Sequence, residues 1–413
     1  MRFPFILFTG LCATALHAAE PVTLSALVEK TVAHHPELRF YEAEVATAVG
    51  EQKHAVAIKN PDIQTGVGNW RVRDLATSEV TDGPMWSVTL TQTVEWPGRI
   101  ALRRAIAQKK LDIAKLGVSQ FRRSIASQVE KQGWQLLAAQ EKTRVAHEVS
   151  HRLHELASVM LQRDPAGIAP RMEMKILQSH AITLGAEHAR AQNEADSARF
   201  ELNRLIGEKP EHALEIKREN LTLSPPPPLT ELLASARSRN FELRARMHEV
   251  EQQGFEVALA DHQVWPSITI QPYIQRQTNR TRETQTGLGI SLPLPLWNRN
   301  AGQSEAARGR KAQAEVMLNS QLAQLERDVA SQESHYRIHV LELAKWPPNT
   351  LDEFRKVAAE ADEHYRLGAL PLATYIEMQR QYFESVQSVL NSQLGALEAR
   401  LALEQLTDSP LSR

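Results

Sequence analysis

Three histidines, His147, His151 and His154, stand at positions i, i+4 and i+7. On a helix that spacing puts three imidazoles on one side, an arrangement a transition metal can use. The chain holds 15 histidines in a largely polar sequence, so a chance cluster on a solvated helix face competes with the metal reading. His34-His35 is a second cluster of the same kind. Other chemistry is missing. No phosphate loop or nucleophile elbow occurs, and Gly287-Leu-Gly289 sits in a strand-like stretch too short for a nucleotide loop. The chain is expected to catalyse nothing and to carry no cofactor. Its formal net charge of -1 gives no reason to expect a nucleic-acid partner.

The histidine triplet belongs to a run, from about Arg99 to Gln162, that holds no proline and only two glycines, Gly117 and Gly133. Apolar residues recur every three or four positions: Leu102, Ile106, Ile113, Leu116, Phe121, Ile125, Val129. That period predicts one helix, roughly 100 Å long at about 1.5 Å per residue. A rod of that length bridges a distance.

Residues 1–19 read as a secretory signal, with Arg2, an apolar run from Phe3 to Leu16 and small residues after it. Cleavage is expected near Ala18 or Ala19. The only cysteine, Cys12, lies inside this segment, and Leu11 occupies the place where a lipoprotein signal wants a small residue, so no lipid anchor is expected. The mature chain would then have no thiol, no disulfide and no cysteine metal site. After the signal no apolar run approaches 18 residues, so any membrane crossing must be made by alternating strands.

In chain order, Thr23 to about Lys59 reads as helix, ended by Asn60-Pro61. Strands follow at about 63–73 and 86–96, the second with Trp86, Val88, Leu90 and Val94 on one face and Ser87, Thr89, Thr91 and Thr93 on the other. The long helix, 99–162, ends at a first tip, 163–170, and a helix returns from about Arg171 to Ile206. This first unit spans 20–220. A proline-rich linker, 221–228, leads to a second unit, 229–413, in which the pattern recurs. Shifted by 205 positions, Leu24, Leu27, Glu37, Leu38, Pro61 and Ile63 meet Leu229, Leu232, Glu242, Leu243, Pro266 and Ile268. Strands at about 267–276 and 284–294, a long helix over 299–364, a second tip at 365–371 and a last helix complete the unit. Trp346-Pro347-Pro348 must kink or break that long helix.

Four strands cannot close a barrel, and open edges invite aggregation. Three chains would supply twelve strands, an even number suited to an outer-membrane barrel whose small polar residues face water. The expected fold is an α+β membrane protein. In it a helix–β-hairpin–long helix–helix unit occurs twice, and a trimeric 12-stranded β-barrel continues into a long periplasmic α-helical barrel. A soluble periplasmic coiled coil would explain the helices, but not strand pairs at matching points of both units.

At this point the chain resembles the TolC-type outer-membrane efflux proteins over nearly all of its mature length. The resemblance rests on the duplicated order, the junctions Val94-Glu-Trp-Pro-Gly-Arg99 and Leu292-Pro-Leu-Pro-Leu-Trp-Asn-Arg-Asn300, the two tips, and the helix ends 202–207 and 401–406. The second junction, continued by Ala301-Gly302, is most similar to the heavy-metal branch, the CzcC-like and CnrC-like components.

The resemblance implies a homotrimeric, passive conduit in the outer membrane. It would work with a periplasmic membrane-fusion adaptor and an inner-membrane RND pump, and would export divalent metal cations. Type I protein secretion and general multidrug export are the alternatives. The resemblance makes the tips the adaptor-docking points, at Gly167 and at Tyr365, Arg366, Leu367 and Gly368. It places pore-facing gate carboxylates at Glu173 and Glu377, which threefold symmetry would turn into rings that attract cations.

Overall fold

The computed structural model describes residues 22–162, 168–217, 221–278, 281–347 and 349–411. The expected signal and Gly167 of the first tip lie outside them. In chain order the elements are α1 (Leu24–His34), α2 (Leu38–Ala55), β1 (Asp62–Arg73), β2 (Val80–Val94), α3 (Arg99–Gln162) and α4 (Ile168–Ile206). They are followed by α5 (Leu229–Arg239), α6 (Phe241–His262), β3 (Ile268–Thr278), β4 (Arg282–Ser291), α7 (Ala301–Leu343), α8 (Thr350–Arg366) and α9 (Leu372–Thr407).

α3 runs unbroken for 64 residues, in keeping with its freedom from proline. One of its two glycines admits a neighbour: a Cβ at Gly133 would collide with the Leu24 side chain of α1. Two expected helices are each two. The helix expected from Thr23 to Lys59 breaks at His35–Pro36, since a residue before proline is pushed out of the helical region. The helix expected over 299–364 stops at Leu343 and restarts at Thr350, on either side of Trp346–Pro347. α7 also starts later, at Ala301, behind a left-handed Asn300 with φ 60°.

Apolar packing gathers in three clusters. Leu24, Leu27, Val129, Leu136 and Leu202 join α1, α3 and α4. Leu232, Leu325, Val329, Tyr336 and Leu403 make the counterpart among α5, α7 and α9. The third, with Val149, Leu153, Leu177, Tyr375 and Tyr382, crosses between the units, bringing α3 and α4 against α8 and α9. Each fully buried side chain of this size contributes about 1.5–3 kcal/mol.

The strands form one antiparallel sheet in the order β1-β2-β3-β4, so the hairpins of the two units join through β2 and β3. Val67 faces Trp86, Trp86 faces Arg276, and Arg276 faces Thr284. β2 begins at Val80 rather than near 86, and β3 and β4 span Ile268–Thr278 and Arg282–Ser291 rather than 267–276 and 284–294. Pro84 is tolerated because β3 pairs with β2 only from Met85 onward.

Candidate functional site

The register sorts the sheet into two unlike faces. On one lie Ile63, Val67, Trp86, Val88, Leu90, Ile270, Pro272, Ile274, Leu288 and Ile290. On the other lie Gln64, Gly66, Ser87, Thr89, Thr269, Gln271, Tyr273, Gln285, Gly287 and Gly289. The apolar face is bare: Val67 is 89% exposed and Ile290 69%. An alternation of that kind with its oily side outward suits a lipid boundary and a wet interior. Tyr273 lies over Gly287, where a Cβ would meet its ring at 2.6 Å. That glycine therefore serves the sheet, not a nucleotide. No helix among the described residues is long and apolar enough to cross a membrane.

Aromatic residues bracket the apolar face. Trp86 carries the Arg276 guanidinium over its ring at 5.6 Å on the hairpin side. On the helix side Trp96 stacks on Trp265 with centroids 5.4 Å apart, and Trp297 is 94% exposed. The sheet is anchored to the rod at the junction, where Arg99 donates to the Ser267 hydroxyl at 3.1 Å and to the His262 and Trp265 carbonyls. Arg103 pairs with Glu95 at 2.7 Å. Asn300 donates to the Ala260 carbonyl at 3.0 Å. Thus the first unit's long helix grips the second unit's connection from α6 to β3.

At the far end the second tip is a tight helix end. Gly368 has φ +75°, and its N–H donates to the Tyr365 carbonyl while that of Ala369 donates to the His364 carbonyl, both at 2.9 Å. Tyr365 stacks on Tyr375 at 5.0 Å. Arg366 pairs with Asp362 at 2.9 Å and reaches Glu155 of α3 at 3.6 Å. Leu367 is 73% exposed. The four tip residues therefore divide: Tyr365 and Arg366 are tied inward, and Leu367 and Gly368 face out.

Behind the tip lie residues that sequence reading did not single out. Tyr375 is fully buried and donates to Asp362 at 3.0 Å, and burial together with that carboxylate pushes its phenol well above the usual range. Glu148 of α3 meets Arg152 at 2.6 Å, Arg144 at 3.0 Å and Arg355 of α8 at 3.7 Å. Gln379, also fully buried, donates to the Ala358 carbonyl at 2.7 Å. The sequence signs of this cluster are the i, i+4 pairs Arg144–Glu148, Glu148–Arg152 and Asp362–Arg366.

Glu173 and Glu377, the glutamates expected at a gate, are exposed. Glu173 stands near the second tip: burial first, and then its charge, raise the pKa of Tyr365. Glu377 is held by Arg380 at 2.9 Å and accepts from Gln381 at 2.9 Å, and Arg380 keeps its carboxyl below the usual range. The histidine triplet does not converge. His147 lies 5.9 Å from His151 and 5.1 Å from His188 of α4, and His151 leans toward Glu155 at 3.6 Å. His154 is seven residues, about 10 Å, along the axis from His147. Among the described residues no three His, Cys, Asp or Glu are placed to hold a metal ion.

Comparison with known proteins places this geometry. A family model described as outer membrane efflux protein matches residues 27–208 and 232–408, one stretch in each repeat. The pyoverdine export outer membrane protein OpmQ of Pseudomonas aeruginosa is 23% identical over 398 residues, covering 92% of this chain and 84% of that protein. The CusC structure, which concerns folding and transmembrane channel formation, superposes with a TM-score of 0.72 at 13% identity, over 93% of this chain and 92% of that one. The Campylobacter jejuni CmeC outer membrane channel gives 0.72 at 13% identity, over 98% and 93%. The fold is the α+β fold of outer-membrane channels.

Proposed function

We propose that this chain, which belongs to the outer membrane efflux protein family, is the passive conduit of a tripartite export system. Proteins of this family are outer-membrane channels and not enzymes. The observation that carries the proposal is a two-faced sheet with both edges open, mounted on a 64-residue helix. Three chains joined edge to edge, β4 of one to β1 of the next, close twelve strands and leave no edge. The helices then form the periplasmic barrel. A leader cut near Ala18 or Ala19, without lipid on Cys12, delivers the chain.

The tips dock a membrane-fusion adaptor that links the channel to an RND pump, with Leu367 and Gly368 offering the accessible surface of the second tip. Glu173 and Glu377 line the narrow periplasmic end. Because Arg380 clamps Glu377, most of the cation attraction there falls to Glu173. The cargo proposed is a divalent metal cation, supported by the likeness of the junction 292–302 to the heavy-metal branch. Similarity to a pyoverdine exporter favours a second reading, an organic solute.

Deleting the gene and measuring growth inhibition tests both readings. Sensitivity to one or two of zinc, cobalt, cadmium, nickel, copper and silver supports the metal reading and names the cargo. Sensitivity to organic toxins with normal metal tolerance overturns it and leaves the conduit standing. Detergent-purified protein that sizes as a monomer overturns the trimer.

A further inference from the structure

Charge on the hairpin ends of the sheet is sorted by face. On the apolar face Arg276 stands in the row of Val67, Trp86 and Thr284; Arg282 stands one row further out, opposite Thr278; Arg71 lies beyond it opposite Asp82, and Arg73 at the end opposite Val80. The acid on that face, Asp82, is already paired with Arg71 at 3.3 Å. Glu283 points to the opposite, polar face, where it accepts from Gln277 at 2.7 Å. The apolar side of this rim is therefore cationic, and the polar side is not.

The arginine row sits at a definite height. From the row of Val94 and Ile268 to that of Trp86 and Arg276 is eight residues, roughly 27 Å along a strand at about 3.4 Å per residue. At barrel tilts of about 35–45° that is a rise of about 19–22 Å, and the row of Arg282 and Thr278, two residues further out, stands at about 24–28 Å, against the about 25 Å of an outer-membrane apolar band. Arg276 and Arg282 thus straddle the level where hydrocarbon ends and headgroups begin. The Arg276 guanidinium carbon lies over the Trp86 ring at 5.6 Å from the centroid, and its Nε donates to the Thr284 hydroxyl at 3.1 Å. Two contacts fix its guanidinium plane, and Arg282 is its diagonal neighbour on the same face, about 7–8 Å away by strand geometry. A planar fork held beside a second fork matches the oxygens of a phosphate.

We infer that Arg276, seated on Trp86, and Arg282 beside it at the outer edge of the apolar band bind the phosphate of a phosphorylated glycolipid in the outer leaflet. This rests on the outer-membrane channel reading, which sets the hairpin end outward. The site takes a phosphate at the membrane surface and gives the barrel a fixed depth, with Trp96, Trp265 and Trp297 as the opposite stop.

The test uses the full purified chain and native mass spectrometry, with a diphosphorylated lipid A-type glycolipid and its dephosphorylated form as probes. Wild type is expected to retain the phosphorylated probe at least tenfold better, from about 1 kcal/mol per arginine near the surface. Arg276→Gln with Arg282→Gln abolishes that preference, and Glu283→Gln on the polar face leaves it intact. Arg276→Lys keeps the charge but loses the fork and the ring packing, and so retains only part of it. Equal retention of both probes by wild type overturns the inference, as does a double variant that keeps the preference. Should the double variant not assemble, Arg282→Gln alone decides by the same measure. Failure of wild type to enter the outer-membrane fraction would overturn the channel reading instead.

Discussion

The two repeats build the same rod in different ways. In the first, α3 is one helix of 64 residues. In the second, the rod is α7 followed by the 17-residue α8, with Trp346–Pro347 between them. A long helix holds itself together through its own ladder of hydrogen bonds, whereas a helix of α8's length is marginal without neighbours. α8 is accordingly pressed onto them. Ala358 and Ala361 are 1% and 3% exposed, small enough for close approach to α9. Arg355 and Arg366 reach back to Glu148 and Glu155 on α3. The first repeat supplies a spine, and the tip half of the second is held by what it touches.

The sharpest way to break this comparison is Tyr375→Ala. It empties a fully buried aromatic site and leaves Asp362 without its phenol donor. The expected loss is about 3–5 kcal/mol, read as a fall in the unfolding midpoint of the purified channel. Hydrogen exchange should show α8 opening long before α3. If α3 opened with it, the spine and the dependent half would not be distinct.

A second test compares the short helix pairs. Asn240 caps α6 by accepting from the Leu243 N–H at 2.9 Å and also donates to the Leu406 carbonyl at 3.0 Å. At the matching break in the first repeat Glu37 makes no side-chain cap. Asn240→Ala should cost about 1–2 kcal/mol, while Glu37→Ala should fall within about 0.5 kcal/mol. Equal losses would deny that the two breaks are built differently.

These cases show what the sequence made legible. Apolar recurrence every three or four residues through Leu102, Ile125 and Val129 was enough to outline α3, because a helix of that length declares its period many times over. The break at Asn240 was not visible, since a capping side chain reads like any polar residue on an amphipathic helix. The early start of β2 was hidden by Thr81-Asp82-Gly83-Pro84, which reads as a turn until β1 is known to lie alongside. At the site, Gly368 and the exposed Leu367 could be reached from local signals. Tyr375, Glu148 and Gln379 could not, because their meeting depends on how α8 and α9 settle against α3. The histidine triplet shows the opposite failure. Its spacing suggested a site, but the rise per residue carries His154 away from His147.

Two glycines separate strain from space. Gly368 has open space around it but φ +75°, so Gly368→Ala should cost about 1–2 kcal/mol through backbone strain alone. Gly302, also with nothing near, lies in the first turn of α7, and Gly302→Ala should stabilise by up to about 1 kcal/mol. Thermal unfolding of the pair checks both signs. A stabilising Gly368→Ala would mean that the tip is not held in a left-handed turn at this residue.

The smallest effect concerns the pin between the halves. Arg400 of α9 is 3% exposed and meets Glu130 of α3 at 2.5 Å, with Glu404 beside it at 3.8 Å. Burial raises the pKa of Glu404 above its ordinary 4.5, against the pull of Arg400. A raised carboxyl pKa means that the folded chain holds this proton more firmly than the unfolded one. The stability it brings is full below about pH 4.5 and is lost as pH rises through the folded value. Glu404→Gln removes the titration and keeps an acceptor for the Leu411 N–H. The variant's unfolding midpoint should therefore gain on wild type as pH goes from about 5 to 8. A gap that narrows instead would show that Arg400 outweighs burial, and that the pin between the repeats is a working ion triad rather than a pair with a crowded third charge.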